Sequence, residues 1–411
     1  MIDYFETKEH PITRKMVLDA YRQIMSNGQA VGVDGVSISS YAENLQANLY
    51  KLWNRLTSGS YFPRLVREKC IPKKEGGVRK LGIATVDDRI AQQVVRAHLE
   101  PMIEPTLHND SYGFRKGRSA HQAIRVAMKR CSWHSWAIDL DISKYFDTID
   151  HDLLLKALEK YTDEKWVHMY IKRWLKAGTL KENGQIEERE EGSVQGGVIS
   201  PLLANVFLHF VFDKWMEKHY PAIKFERYCD DLIVHCKSEK QAIFIKAMII
   251  KRLAECKLSV NEQKSKVVFC KNPKNKGQDI KTLASFDFLG YTFKPVLTPT
   301  RDGILLLTSP VMSMSSQSKV MDKIREMKLY KKKCKIQQLA REVNERTIGW
   351  INYYCEFGKW TTKKMWGQLN MILIKWVMCN RSWGFKRALR WMKACYKNQP
   401  LLFRHWAIEK P

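Results

Sequence analysis

Two short acidic sites interrupt apolar runs in this chain. Ala137-Ile138-Asp139-Leu140-Asp141-Ile142 leads into Ser143-Lys144-Tyr145-Phe146-Asp147, and Arg227-Tyr228-Cys229-Asp230-Asp231 leads into Leu232-Ile233-Val234. Carboxylates beside buried strands are costly unless something neutralises them. Two strand-borne clusters lying side by side could hold two Mg²⁺ ions about 4 Å apart, the arrangement for in-line phosphoryl transfer. Mg²⁺ takes a few carboxylates and completes its shell with phosphate oxygens, which suits a nucleotide substrate, and Mn²⁺ is a possible substitute. Plainer roles compete. Asp230-Asp231 could be an ordinary hairpin turn, where Asp is favoured for local reasons. Asp147 and Asp150 could cap a helix, and we accept that role for Asp150.

The carboxylates need strands to carry them and helices to pack the strands. Trp136–Ile142 alternates as a strand, and Phe225–Cys236 reads as two short strands about a tight turn. Residues 61–100 read as a strand pair around the turn Ile71–Arg79, then a helix from Val86 to Leu99. Helical spacing marks Met16–Ile24 and Leu45–Leu56, with a turn at Gly32-Val33-Asp34-Gly35-Val36 between them. Further helices are expected over His151–Tyr161, Glu164–Leu175, Val198–Met216 (buried, with Pro201 near its start) and Gln241–Cys256. From Ser313 helices dominate: Val320–Leu329, Ile336–Tyr354, Thr362–Met378 and Gly384–Tyr396. Lys271–Lys281 reads as a polar loop and Thr298–Leu307 as a connection. Helices and strands that do not alternate regularly give an α+β class.

Composition narrows the partner. The 411 residues carry 70 Lys and Arg against 43 Asp and Glu, a formal +27. A surplus of that size points to a polyanion, nucleic acid before acidic membrane, and 13 Trp with 16 Tyr and 16 Phe offer faces for bases. The charge concentrates at the end: residues 301–411 hold 23 Lys and Arg, 7 Asp and Glu, and seven of the Trp. Most of those Trp are expected in a core, while Lys331–Lys333, Lys363-Lys364 and the stretch from Arg381 to Lys397 would meet phosphates. The longest apolar stretch, Val198–Phe212, is interrupted and shorter than the ~20 residues of a membrane span. The N-terminus MIDYFETKEH lacks the pattern of a signal or transit peptide. No two of the ten cysteines form a C-x-x-C pair, so zinc sites have no support, and a reduced, cytoplasmic setting is expected.

Seven ordered blocks make the chain resemble the reverse transcriptase/maturases encoded by bacterial group II introns. Tyr228-Cys229-Asp230-Asp231 is similar to the Y-x-D-D box of reverse transcriptases, and Ser193–Asn205 (SVQGGVISPLLAN) to the group II block P-Q-G-G-x-x-S-P-L-L-A-N. Gly32–Gly35, Ile71–Arg79 with Leu81-Gly82-Ile83, Ser111–His121, Leu258–Lys264 and Phe288-Leu289-Gly290-Tyr291 follow the family's blocks. The likeness is dense over residues 10–295 and continues through Gly349-Trp350-Ile351-Asn352-Tyr353-Tyr354, which resembles the maturase core.

The resemblance implies a right-hand polymerase: fingers and palm built from an antiparallel sheet and helices, then an all-helical thumb. We expect 1–60 as a helical extension of the fingers, 61–297 as fingers and palm, and 298–411 as the thumb/maturase RNA-binding domain. By the resemblance Asp141, Asp230 and Asp231 are the catalytic metal ligands, with Asp139 in support. Lys73 and Arg79 would grip the incoming dNTP, Gln195 and Gly196 would lie under it, and Phe146 would block a 2′-hydroxyl while also packing as a core aromatic. Arg115 and Arg118 would contact template or nucleotide, since two arginines about Gly117 are expensive to bury. Lys264 matches a late palm lysine, with a pyrophosphate contact in view.

The implied activity is RNA-directed DNA synthesis on a DNA or RNA primer, with intron RNA as template and as a splicing partner, and target DNA as the destination. Oligomeric state is left open. Longer relatives continue into a DNA-binding region and an H-N-H nuclease; the chain stops at Pro411, so second-strand cleavage is not expected of it. Cys229, Val194 and Ala84 stand where the family commonly has Ala, Pro and Pro. Two rival readings share the palm: a splicing cofactor with a vestigial polymerase, and a domesticated enzyme of phage defence or DNA repair.

Overall fold

The computed structural model describes residues 9–26, 30–72, 77–275, 283–300 and 303–411. Its strands in chain order are β1 (Val66–Pro72), β2 (Val78–Ile83), β3 (Trp136–Asp141), β4 (Thr179–Leu180), β5 (Ile186–Glu187), β6 (Lys224–Tyr228), β7 (Asp231–Cys236), β8 (Lys266–Phe269), β9 (Phe286–Phe288), β10 (Tyr291–Thr300) and β11 (Gly303–Met312). They form sheets of order β2-β1-β4-β5, β6-β7-β3-β8 and β11-β10-β9. The chain divides into two compact units, one of residues 1–119, 140–234 and 243–265, the other of 120–139, 235–242 and 266–411.

In the first unit, helices Arg14–Ile24 and Leu45–Thr57 bury one stripe each, Val17, Tyr21 and Ile24 on one and Leu49, Leu52, Trp53 and Leu56 on the other. These are the three- and four-residue spacings of an amphipathic helix. Thr13 starts the first by accepting a hydrogen bond from Met16 N at 3.2 Å. β1 and β2 pair antiparallel from Arg67↔Ile83 to Pro72↔Val78. Thr85 then caps the helix Val86–Ile103 by accepting from Asp88 N. Helix Ser200–Leu208 buries almost every side chain, which is why its sequence shows no polar stripe. It widens at His209–Asp213 into a π-helical turn before continuing as Lys214–His219. Such turns shift the register of a helix face and are frequent near functional sites.

In the second unit, the part of β3 from Trp136 to Asp139 pairs antiparallel with β8, Trp136 facing Phe269 and Asp139 facing Lys266. One expectation is corrected here. The segment Thr298–Leu307 is no simple connection: β10 and β11 form a long ribbon from Tyr291↔Met312 to Thr300↔Gly303. Cross-strand pairs such as Val296↔Leu307 and Leu297↔Leu306 stabilise a stretch whose prolines read as loop. The region after 298 is therefore a strand before it is helical. Lys271–Asn275, the described part of the polar loop, holds buried Lys271, Asn272 and Asn275. Their polar groups turn inward, Lys271 Nζ donating to Asn275 O at 3.1 Å and Asn275 Nδ2 to Cys270 O at 2.8 Å. Residues 276–281 of that stretch lie outside the described residues.

Helices Met314–Glu326, Ile336–Tyr354, Lys359–Arg381 and Phe385–Asn398 follow. Their core includes Leu339, Val343, Trp366, Leu369, Leu373 and Met392, closed by Phe403 and Trp406. Each buried aliphatic or aromatic side chain of this kind contributes about 2 kcal/mol. Trp366, Trp376 and Trp406 are buried, and Trp360 is exposed.

Candidate active site

The turn between β6 and β7 carries the second acidic pair. Cys229 has φ +60°, a left-handed conformation that costs a non-glycine residue about 1–2 kcal/mol. The turn is held from beneath by Arg227, which is fully buried. Its guanidinium grips Asp213 with Nε at 2.8 Å and a second nitrogen at 2.6 Å. The remaining nitrogen donates to Asn205 Oδ1 at 3.0 Å and to Cys229 O at 3.2 Å. Burial alone would raise the Asp213 carboxyl, but the Arg227 guanidinium and His209 together hold the group below the usual carboxylate range. Asn205 in turn donates to Gly113 O at 2.8 Å. A Cβ at Gly113 would lie 2.5 Å from Cys229 N, so only glycine lets that backbone approach the turn.

Asp141 ends β3. Its backbone N–H donates to Ser265 Oγ at 3.1 Å and its carbonyl accepts from Asn261 N at 2.8 Å. Lys246 Nζ fixes the carbonyl of Ser265 at 2.8 Å. Asp141, Asp230 and Asp231 act on one another. The Asp231 carboxyl is pushed up to about 7 by the protein mass around it and by the negative charges of Asp230 and Asp141, with Lys264 pulling it back. Asp231 is nevertheless open to solvent, and an arriving cation would relieve the like charges. Among the described residues no three His, Cys, Asp or Glu close into a metal cage. Asp141, Asp230 and Asp231 have only oxygen donors to offer a cation. That suits Mg²⁺, which takes one or two carboxylates and leaves the rest of its shell to substrate and water.

A second group lies between β2 and the loop before Ser200. Arg79 Nε donates to Gln195 Oε1 at 3.2 Å, and Gln195 Nε2 reaches Asp147 Oδ1 at 3.5 Å. Gly82 N donates to Gln195 O at 2.7 Å. Gly196 has φ +104°, and a Cβ there would meet Gly82 O at 2.9 Å. Ser193 N donates to Phe146 O at 2.6 Å, so the loop also rests on the residues after β3. Phe146 is half-buried and sits edge-on to Tyr145, whose hydroxyl donates to Ala204 O at 2.6 Å. Arg79, Gln195, Gly196 and Asp147 therefore form one exposed ledge.

Lys73 lies outside the described residues. Arg118 is half-exposed, its guanidinium 5.7 Å from the Tyr112 ring centre. Arg115 corrects an expectation: it is buried and takes no part in a surface. Its nitrogens bond Glu104 Oε1 at 2.8 Å, His108 O at 2.7 Å, Ser111 O at 2.8 Å and Glu104 O at 3.2 Å. Burying it is tolerable because a carboxylate and three carbonyls take up its charge and donors. Asp150 caps helix His151–Leu158 by accepting from Leu153 N at 2.9 Å, whereas Asp147 ends a short 3₁₀ turn and caps nothing.

Sequence reasoning passed over Asp213, Arg227, Asn205 and Gly113 as supports. Arg227 beside Tyr228 was the available signal, since a charged residue inside an apolar strand needs a buried partner. Asp213, fourteen residues earlier in a helical run, gave no hint of being that partner.

Residues 71–293 match the family of reverse transcriptases, RNA-dependent DNA polymerases. That is over half of the chain, and the chain belongs to this family. Residues 317–391 match the maturase-specific domain of group II introns. Protein YkfC of Escherichia coli strain K12 is 33% identical over 248 residues, 52% of this chain and 65% of that protein. The group II intron-encoded protein LtrA of Lactococcus lactis subsp. cremoris is 35% identical over 191 residues, 46% of this chain and 32% of its own length. The putative COX1/OXI3 intron 1 protein of Saccharomyces cerevisiae is 32% identical over 204 residues, 50% of this chain and 24% of its own length. The chain thus spans between a quarter and two thirds of these relatives.

Proposed function

We propose that the chain is an RNA-directed DNA polymerase that copies intron RNA and also binds that RNA to assist splicing and mobility. What carries this reading is the match of residues 71–293 to the reverse transcriptases, supported by the rise of the Asp231 carboxyl beside Asp230 and Asp141. Asp141, Asp230 and Asp231 would hold two Mg²⁺ ions. Bound there, the ions would supply Lewis-acid activation of a primer 3′-hydroxyl and neutralise the departing pyrophosphate. The protein's own part is positional. Arg227 and Asn205 fix the turn that aims two of the carboxylates. Gln195 and Gly196 offer a flat ledge to a dNTP, Arg79 meets its phosphates, and Lys73 is proposed to join it. Phe146 would face the sugar. Lys264 tempers the negative charge of these aspartates and would favour pyrophosphate beside them. Arg118 is proposed to touch template.

The basic C-terminal segment matching the maturase domain supports the RNA-binding half, and target DNA is proposed as the destination of the product. No described helix is long and apolar enough to cross a membrane. A bacterial setting is proposed from the relatives of Escherichia coli and Lactococcus lactis, and within it a cytoplasmic one.

The test is dNTP incorporation on poly(rA)/oligo(dT) with Mg²⁺. Removing one ligand should forfeit several kcal/mol of transition-state stabilisation. Asp230→Ala is therefore expected to lower synthesis about a thousandfold or more with little change in melting temperature. Absence of synthesis by the wild-type chain, alongside salt-sensitive binding of structured RNA, would leave the splicing half and sink the polymerase.

A further inference from the structure

Within the second unit a cavity of about 570 Å³ opens among residues 334–337, the end of helix Lys359–Arg381 and helix Phe385–Asn398. Its volume falls in the range of small-ligand sites. Trp376, nearly fully buried, and the half-buried Trp391 contribute aromatic surface. The charged residues lining it are Lys335 and Arg381, both cationic, and no carboxylate lines it. Arg381 is ordered by its neighbours: its guanidinium lies 4.6 Å from the Trp391 ring centre and 4.9 Å from that of Trp383. The frame is stiff. Trp376 Nε1 donates to Lys332 O at 2.8 Å, and Asn380 Nδ2 donates to the same carbonyl at 3.0 Å and to Trp376 O at 3.0 Å. Those bonds use the Asn380 nitrogen, and Gln337, Asn398 and Gln399 join Asn380 in giving the lining four amide side chains.

Each feature selects a ligand property. Aromatic walls call for a planar body. Amide edges call for donors and acceptors on the rim of that body. A cation-only border calls for an attached anion. An acidic peptide would use the cations but leave the aromatic walls idle, and an apolar ligand would leave the amides unpaired. We infer that this cavity receives one unpaired nucleotide, its base against the tryptophan surface and its phosphate at Lys335 and Arg381. The ligand could come from an RNA strand, as an extruded residue, or from the free nucleotide pool. The cavity lies largely within the segment that matches the maturase domain, so the RNA source rests on the RNA-binding reading above.

The experiment titrates the full chain into three probes: a hairpin RNA with a single bulged 2-aminopurine, the same hairpin fully paired, and adenosine 5′-monophosphate. Stacking on an aromatic side chain is worth enough for an alanine substitution to weaken binding about tenfold. The bulged hairpin is expected to bind about tenfold tighter than the paired one, with its fluorescence quenched. Trp391→Ala should abolish both the preference and the quenching while leaving the paired hairpin unaffected, and Trp391→Phe should restore them. Lys335→Ala should weaken the bulged hairpin and flatten its salt dependence by about one counterion. Saturable adenosine monophosphate binding that Trp391→Ala removes, without any bulge preference, would assign the cavity to free nucleotides. Equal binding of both hairpins, unchanged quenching in a folded Trp391→Ala chain and no monophosphate binding would overturn the proposal. In that case RNA binding as such would survive. Failure of every probe to bind would remove both readings.

Discussion

Beneath the Tyr228–Asp231 turn, a fully buried aspartate faces a fully buried arginine. Beneath the last residues of the chain, a buried asparagine faces a neutral histidine and a tryptophan. Asn370 Oδ1 accepts from His405 Nε2 at 2.8 Å and from Trp406 Nε1 at 2.9 Å, while its Nδ2 donates to Glu409 O at 3.1 Å and Lys410 O at 3.0 Å. Both are buried polar networks in apolar surroundings, and they solve different problems. The first uses full charges because it must hold a turn with a left-handed residue and crowded carboxylates above it. A bidentate ion pair is strong and directional, at the cost of desolvating two ions. The second anchors the segment 405–410 against a helix, where neutral groups suffice and no ion is desolvated. Charge is spent where strain must be held, and neutral bonds where only position is needed.

The sharpest way to break this contrast is to unpair the first network. Asp213→Ala leaves the Arg227 guanidinium buried without its counter-ion and is expected to cost roughly 3–5 kcal/mol of stability. A sharper variant removes both charges. Asp213→Leu with Arg227→Met should recover most of that stability, because an apolar replacement of a buried pair is often close to neutral. It should not recover dNTP incorporation, since the donor to Cys229 O is still missing. Urea denaturation and primer extension on the same preparations separate the two effects. Full recovery of synthesis in the double variant would show that the pair is structural filler and does not position the turn.

The neutral network should break more gently. Asn370→Ala strands the buried Trp406 N–H and the His405 N–H, and each lost partner costs about 1–3 kcal/mol. A loss at the low end of that sum, roughly 2–4 kcal/mol, is expected because no charge is left bare, with Asn370→Asp no better, because two donors to carbonyls become acceptors. Polymerisation per folded molecule should change little in either variant. A stability loss equal to that of Asp213→Ala would erase the distinction between the networks.

These supports mark where the sequence stops being legible. The acidic pair, the strands about it and the glutamine–glycine loop were readable because each violates a local pattern: acids in an apolar run, glycines in a row. The helices were readable from periodicity, and Ile336–Tyr354 has the same bounds in sequence and structure. Arg115 was misread because its four acceptors, Glu104 Oε1 and three backbone carbonyls, come from a chain path that no local pattern announces. The β10–β11 ribbon was missed because Pro295 and Pro299 argue against a strand, and the ladder opposite them overrides that preference. Asp213 was missed because a lone aspartate in a helix is ordinarily a surface residue.

The smallest expected effect is also the one that tests why the second network is neutral. Burial holds the His405 imidazole down at about 3, against about 6.5 in an unfolded chain. Its Nε2 is committed to Asn370 Oδ1, and its Nδ1 is buried with no hydrogen-bond partner, so a second proton would have nothing to bond. Above pH 6.5 both states are neutral and stability is independent of this group. As pH falls below 6.5 the unfolded chain takes up a proton that the folded chain refuses, so stability present above that pH is lost progressively towards pH 3. The slope is at most about 1.4 kcal/mol per pH unit. Between pH 7.5 and 5.5 the wild-type chain should therefore lose about 1 kcal/mol more than His405→Gln, whose amide can still donate to Asn370 but does not titrate. Urea midpoints of both proteins at the two pH values provide the measurement. Equal losses would mean that His405 is charged in the folded state, and the neutral design argued for this region would be wrong.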